Sequence, residues 1–166
     1  MPQFSTHFAH SEFFSANEKP PEAHMKAMAA LCNTILEPIW EHVQSPGVRR
    51  SVHINDGWRS STNTTGVPTS QHRLGEAADI RIDGIDPIAL WQWIAWESKL
   101  PFGQLILERY ASAKAWDWTP GVRGSWIHIS LGEPFRAASK CRQVYYTKDA
   151  GPNVHYLVGK KGVIPT

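Results

Sequence analysis

Cysteine is scarce. Cys32 and Cys141 are the only two in 166 residues, too few for the disulfide framework that staples small secreted folds. Cys32 falls on the apolar face of an expected helix, where a thiol packs as a small hydrophobe. Long apolar runs are missing too: none approaches the roughly 20 residues needed to cross a bilayer, which excludes a membrane partner of that kind. The opening Met1-Pro2-Gln3-Phe4-Ser5 has neither the basic nor the apolar segment of a secretory leader. The expectation is a chain made in the cytoplasm, delivered by something else if its substrate lies outside. Charge of one sign is equally thin. Seventeen Lys and Arg against fifteen Asp and Glu leave +2 formally, with a pI near 8.6. Without a concentrated Lys/Arg run, nucleic acid is not the default partner. Repeats, low-complexity tracts and linkers are absent, so one domain over residues 1–166, as a monomer, is expected.

What is present suffices for one core: 42% of residues are hydrophobic, and eight are tryptophan. Residues 1–19 read as an irregular arm pinned by Phe4, Phe8, Phe13 and Phe14. Pro20-Pro21-Glu22 opens a helix, since proline fits the first turn and an acid suits the positive end of the helix dipole. Met28, Leu31, Cys32, Ile35, Leu36, Ile39 and Val43 then recur at helical spacing. Pro38 must kink this helix or end its regular part, and Ser45-Pro46-Gly47 stops it. Val52–Asn55 reads as a strand. A polar loop over 60–71 follows, of a length that is often functional in a small domain. Ala77–Ile82 is a second strand. Asp86-Pro87 caps a second helix over 87–98 with Leu90, Trp91, Ile94 and Ala95 inward. Strands at 104–108 and 126–130 enclose a loop over 110–124 that holds Trp116 and Trp118. Val144-Tyr145-Tyr146 and His155–Val158 suggest a terminal hairpin.

Within this frame, Ser70-Gln71-His72-Arg73-Leu74-Gly75-Glu76-Ala77-Ala78-Asp79-Ile80 stands out. It sets an imidazole and a carboxylate seven residues apart around a glycine and small residues. Nitrogen and oxygen donors converging in this way suit zinc. The best third ligand is His128 in Trp126-Ile127-His128-Ile129-Ser130. His72, Asp79 and His128 together leave a fourth position for water, as catalytic zinc sites do. His7 and His10 read as surface or capping histidines, His53 as a core residue and Glu76 as a solvated acid. His155 is too remote from the other motifs to place.

The pattern Ser-x-His-x6-Asp with an internal Gly-x-Ala, followed by Trp-x-His, resembles the zinc D-Ala-D-Ala carboxypeptidase family. These LAS-type metallopeptidases include vancomycin-resistance D,D-dipeptidases and phage endolysins. His7–Phe13, Asn55-Asp56-Gly57-Trp58-Arg59-Ser60 and Gln104-Leu105-Ile106-Leu107-Glu108 match in the family's order, so the resemblance spans roughly residues 4 to 131. It implies an α+β fold of the hedgehog and D-Ala-D-Ala peptidase kind, with a small antiparallel sheet carrying the zinc site and helices packed on one side. Residues 20–131 would be the catalytic core and 132–166 a C-terminal extension. It implies that Arg59 holds a substrate carboxylate or carbonyl, and that Ser70 contacts substrate or orients a ligand. The chain departs from relatives that carry an acid three before the last histidine, or a histidine two before it. Ser125 and Trp126 stand there. Glu108 is then the expected general base, with Asp117 in reserve. The implied activity is zinc-dependent cleavage of peptidoglycan stem peptides by a phage or prophage enzyme, holin-released or virion-associated. The alternative is a zinc-fold virion or wall-binding protein without turnover.

Overall fold

A computed structural model of the chain describes residues 2–63, 67–109, 124–148 and 156–162. Two helical segments pack against one face of a mixed sheet. The first runs from α1 (Glu22–Leu31) through a single π turn (Cys32–Leu36) into α2 (Glu37–His42). The widened turn precedes Pro38, which has no N–H to give to the turn before it; the proline interrupts the regular α-helix rather than ending it, and the helix continues through Pro38 as α2. The second segment is α3 (Pro87–Gln92), continued by a π turn (Trp93–Glu97). Asp86 caps it by accepting from the Ile88 N–H at 2.9 Å. Leu90, Trp91, Ile94 and Ala95 are buried, as their spacing requires. No helix among the described residues is long and apolar enough to cross a membrane.

The strands are β1 (Val52–Asp56), β2 (Ala77–Ile82), β3 (Phe102–Glu108), β4 (Trp126–Leu131), β5 (Gln143–Thr147) and β6 (Tyr156–Val158). Their order across the sheet is β1-β2-β4-β3-β5-β6. The sheet is therefore neither small nor wholly antiparallel. β5 runs parallel to β3, pairing Leu105 with Val144 and Leu107 with Tyr146. The reason is topological. The chain leaving β4 steps over β3 and returns on its open edge. β3 and β5 are both antiparallel to β4 and so parallel to each other, without a crossover helix. Arg142 fixes this return: its backbone N–H donates to the Phe102 carbonyl, and its guanidinium to the carbonyls of Leu100 and Ala95. Residues 143–147 and 156–158, expected as an extension, thus belong to the same sheet, where β5 and β6 pair antiparallel.

Strand alternation divides the sheet's chemistry. Ala78, Ile80, Ile82, Leu105, Leu107, Ile127 and Ile129 share one core with Met28, Leu31, Ile35, Leu36 and Ile39 of the long helix. The intervening side chains, Asp79, Arg81, Glu108, His128 and Ser130, are also buried but polar, and they lie on the opposite face. The N-terminal arm closes one end, with Phe4, Phe8 and Phe13 in the core.

Candidate metal centre

His72 is delivered by a 3₁₀ turn (Gln71–Leu74) that ends on Gly75, whose φ is +72°. Only glycine holds that conformation without strain, and a β-carbon there would lie 2.6 Å from the His24 carbonyl of α1. The turn is thereby pressed onto the helix and the next residues enter β2. Asp79 on β2 and His128 on β4 are direct cross-strand partners. The His72 ring donates from Nδ1 to the Gly57 carbonyl, 2.7 Å away, which leaves Nε2 with its lone pair turned inward. Gly57 is itself held by the arm: a β-carbon on it would meet Phe13 Cα at 2.6 Å, and the Trp58 N–H donates to the Phe13 carbonyl at 2.9 Å.

Three atoms converge. His72 Nε2 lies 3.1 Å from His128 Nδ1 and 3.3 Å from Asp79 Oδ1, and His128 Nδ1 lies 2.9 Å from Asp79 Oδ1. Ligands about 2.0–2.1 Å from a tetrahedral ion stand about 3.3–3.4 Å apart along each edge. The triangle fits such an ion with a few tenths of an ångström of expansion. His72, Asp79 and His128 are 2%, 8% and 9% exposed, and among the described residues they form the His/Cys/Asp/Glu group able to hold a metal ion.

The electrostatics suit a cation. Burial would raise the Asp79 pKa, but His72 and His128 overcome it and hold this carboxyl well below the usual range. Burial works against charge on His72, yet Asp79 raises its pKa; on His128 burial prevails and lowers it. Asp79 is thus an anion with one neutral imidazole beside it, and a second whose proton it attracts.

Arg59 reaches this triangle, with Nη2 3.6 Å from Asp79 Oδ2, but its fork is closed on Asp56, at 2.8 Å from Nε and 2.6 Å from Nη2. Ser70 precedes the His72 turn. Its carbonyl accepts from the Arg73 N–H at 3.1 Å, and its side chain does not cap the turn.

Glu108 ends β3 opposite Trp126, while Ile106 faces His128. It is therefore the diagonal neighbour of His128 on the same face, a spacing of roughly 7–8 Å. Burial raises its pKa to about 7, against the effect of the Thr147 hydroxyl, which donates to Oε2 at 2.7 Å. Ser125, where some relatives carry an acid, is fully buried and donates to the Arg109 carbonyl at 2.8 Å. It holds the strand end rather than facing the triangle.

Asp117, Trp116, Trp118 and His155 lie outside the described residues. His7 bonds Glu37 at 2.7 Å and stacks on Trp40, and His10 packs on Phe4. His53 is not core: it is half-exposed on the ligand-bearing face, 3.5 Å from Asp83. Glu76 is not a solvated acid, being half-buried with Arg136 at 3.9 Å.

Sequence reasoning missed Thr147, Gln71, Asn55 and Arg81. Gln71 is buried beside His128, with Ser130, Gln104 and Arg136 around its carboxamide. Arg81 follows Asp79 by two on β2, so the period-two rule alone assigns it to the ligand face. Ile54, Asn55, Asp79, Arg81 and Trp126 line a cleft of about 440 Å³ beside the triangle. Comparison with protein-family models, with curated proteins and with solved structures returned no match to this chain.

Proposed function

We propose that the chain is a zinc peptidase that hydrolyses stem peptides of bacterial peptidoglycan, as a D,D-carboxypeptidase or endopeptidase, in phage or prophage attack on the cell wall. The observation that carries this reading is the convergence of His72 Nε2, Asp79 Oδ1 and His128 Nδ1 on one face of a sheet, with a carboxyl of pKa about 7 diagonally across from it. The motif's resemblance to the zinc D-Ala-D-Ala carboxypeptidases supplies the substrate class.

His72, Asp79 and His128 would hold the ion. Two imidazoles and one carboxylate suit zinc and leave room for solvent. When bound, zinc acts as a Lewis acid and lowers the pKa of its water to about 7. Glu108 takes a proton from the attacking water and passes it to the leaving amine, a task suited to a group whose pKa lies near the working pH. Thr147 orients the Glu108 carboxyl through Oε2. Asp56 braces Arg59, whose Nη1 has no hydrogen-bond partner among the described residues and faces the substrate's carbonyl side. Ser70 contributes its hydroxyl at the edge of the site.

Digesting purified muropeptides with zinc-loaded protein and weighing the products tests the reading. A defined peptide product, lost on chelation and lost in Glu108→Gln, is expected. Intact muropeptides with zinc bound would instead favour a wall-binding or virion protein, the second reading, which the replacement of an acid by the tethered Ser125 supports.

A further inference from the structure

The ligand-bearing face of the sheet continues past the triangle. One row crosses Asp79, His128, Ile106, Tyr145 and Val158, partners strand by strand from β2 to β6. The next row crosses Trp126, Glu108, Thr147 and Tyr156. Glu108 meets Thr147 because the parallel register carries on one step beyond Leu107 and Tyr146, and the hydroxyl bond at 2.7 Å closes it. Tyr156 is therefore two strands from Glu108, about 10 Å between backbones, with only the short Thr147 side chain between them. The Tyr156 ring sits edge to face against Tyr145, centroids 6.2 Å apart. It leans from its own row towards the row that holds Asp79 and His128.

The two side chains suit different tasks. Glu108 is 8% exposed and Tyr156 54% exposed. The carboxyl thus lies on the floor of the site with Oε2 engaged by Thr147, while the phenol is open to a bound peptide. Partial burial raises the Tyr156 pKa, and the Glu108 carboxylate and then the Asp79 carboxylate raise it further. Both acids act on the phenol, so its hydroxyl lies towards the site rather than out at the sheet edge, and it keeps its proton at neutral pH. A phenol that holds a proton, beside a carboxyl of pKa about 7 that can replace it, is a donor that can be reloaded. Ser125, where some relatives carry an acid, cannot take this part, because its hydroxyl is committed to the Arg109 carbonyl.

Resting on the peptidase reading, we propose that Tyr156 is a further catalytic residue, whose hydroxyl delivers the proton to the leaving nitrogen and is reprotonated by Glu108. Glu108 takes one proton from the attacking water as the new C–O bond forms. Tyr156 gives its own proton to the nitrogen as the C–N bond breaks, and the protonated Glu108 returns one to the phenolate oxygen. The water is thereby divided between carbonyl carbon and nitrogen, and both side chains end as they began. Glu108 reaches the amine through the phenol, which spares a buried carboxyl from having to touch both water and nitrogen.

Two stem peptides decide the matter with full-length, zinc-loaded protein, one with its scissile amide and one with a thioester in that place. An amine cannot leave without a proton, whereas a thiol of pKa about 8.5 leaves as the anion. Tyr156→Phe, which keeps the ring against Tyr145, should lower kcat on the amide roughly 10²–10⁴-fold, the usual worth of a positioned acid, with KM and Tm little changed. On the thioester the same variant should lose far less. Glu108→Gln should lose both substrates, because water attack still needs the base. Spectrophotometric titration gives a readout without turnover: Glu108→Gln should lower the pKa of the phenol whose signal disappears in Tyr156→Phe. Unchanged amide turnover in Tyr156→Phe, an equal loss on amide and thioester, or a phenol that does not respond to Glu108→Gln overturns the assignment while leaving the peptidase reading intact. Failure of wild type to cleave either substrate removes both.

Discussion

Gln71 governs which nitrogen of His128 is available. Its carboxamide can be turned two ways. In one, Oε1 faces His128 Nε2 at 3.4 Å. In the other, the oxygen accepts from Arg136 at 2.6 and 2.8 Å and from the Ser130 hydroxyl at 2.6 Å, and the amide faces Gln104 Oε1 at 3.3 Å. The second is the metal-free arrangement, because an Arg136 N–H cannot sit 2.6 Å from an NH₂ group. His128 Nε2 then faces a donor, and its proton stays on Nδ1, directed at Asp79. A metal at Nδ1 must displace that proton. Gln71→Glu offers an acceptor to an Nε2–H and keeps Arg136 satisfied, so it should tighten zinc binding about tenfold, in line with the effect of such outer partners. Competition with a chromophoric chelator measures this, and equal or weaker affinity would refute it. Glu108 carries a second prediction at this scale. Its folded-state pKa is raised to about 7 from an unfolded value near 4.3. A raised carboxyl is neutral in both states at low pH and costs stability as pH climbs between the two values. Glu108→Gln should therefore match wild type at pH 4 and, in the metal-free protein, exceed it by roughly 3 kcal/mol above pH 7. Urea unfolding at the two pH values reads the difference. Hydrolysis by wild type should fall as pH drops below about 7.

At the scale of elements, the turn between His72 and Asp79 is the most exposed to a single change. Gly75→Ala sets a β-carbon 2.6 Å from the His24 carbonyl at a φ of +72°. Left-handed strain costs about 1–2 kcal/mol, and the forced shift against α1 adds about 1–3. A loss of roughly 2–5 kcal/mol in chemical denaturation is expected, with weaker metal binding because His72 moves with the turn. This segment was also the most legible in the sequence. The strand at Ala77–Ile82 and the helix over 87–98 were expected from small residues entering the strand and from capping and apolar spacing; the strand forms over those residues, and the helix forms over Pro87–Glu97 with its second half a π turn. Local patterns sufficed there because local contacts decide the outcome. β5 was legible as a strand but not as a partner of β3. Its parallel pairing joins residues 39 apart, and nothing in Gln143–Thr147 names the strand it will meet. Thr147 was missed as Glu108's partner for that reason. His53 was misread because alternating strand residues differ only in the face they occupy, and the bulge between Ile54 and Asp56 disturbs that count in β1.

For the whole molecule, the two faces of the sheet divide the work. Val52, Ile80, Leu105, Leu107 and Ile129 bury against the helices, and this side carries the folding free energy whether or not an ion is present. The opposite face gathers Asp79, His72, His128, Arg59 and Glu108 out of water, an arrangement that a binding cation improves. A ligand that binds the folded chain alone stabilises it by about 2.7 kcal/mol at one hundred times its dissociation constant. For a chain of this length that raises Tm by roughly 5–10 °C. Zinc should produce this shift at pH 7.5, and a chelator should reverse it. Protons compete for the same atoms, so the increment should shrink towards pH 5, where His72, whose pKa the Asp79 carboxylate raises above the usual imidazole value, is charged. His72→Ala should lose the zinc increment at pH 7.5 while keeping a cooperative transition, since the helix-packed core does not include His72. A zinc-induced shift that persists in His72→Ala would place the ion elsewhere and break the connection between this triangle and the chemistry proposed for it.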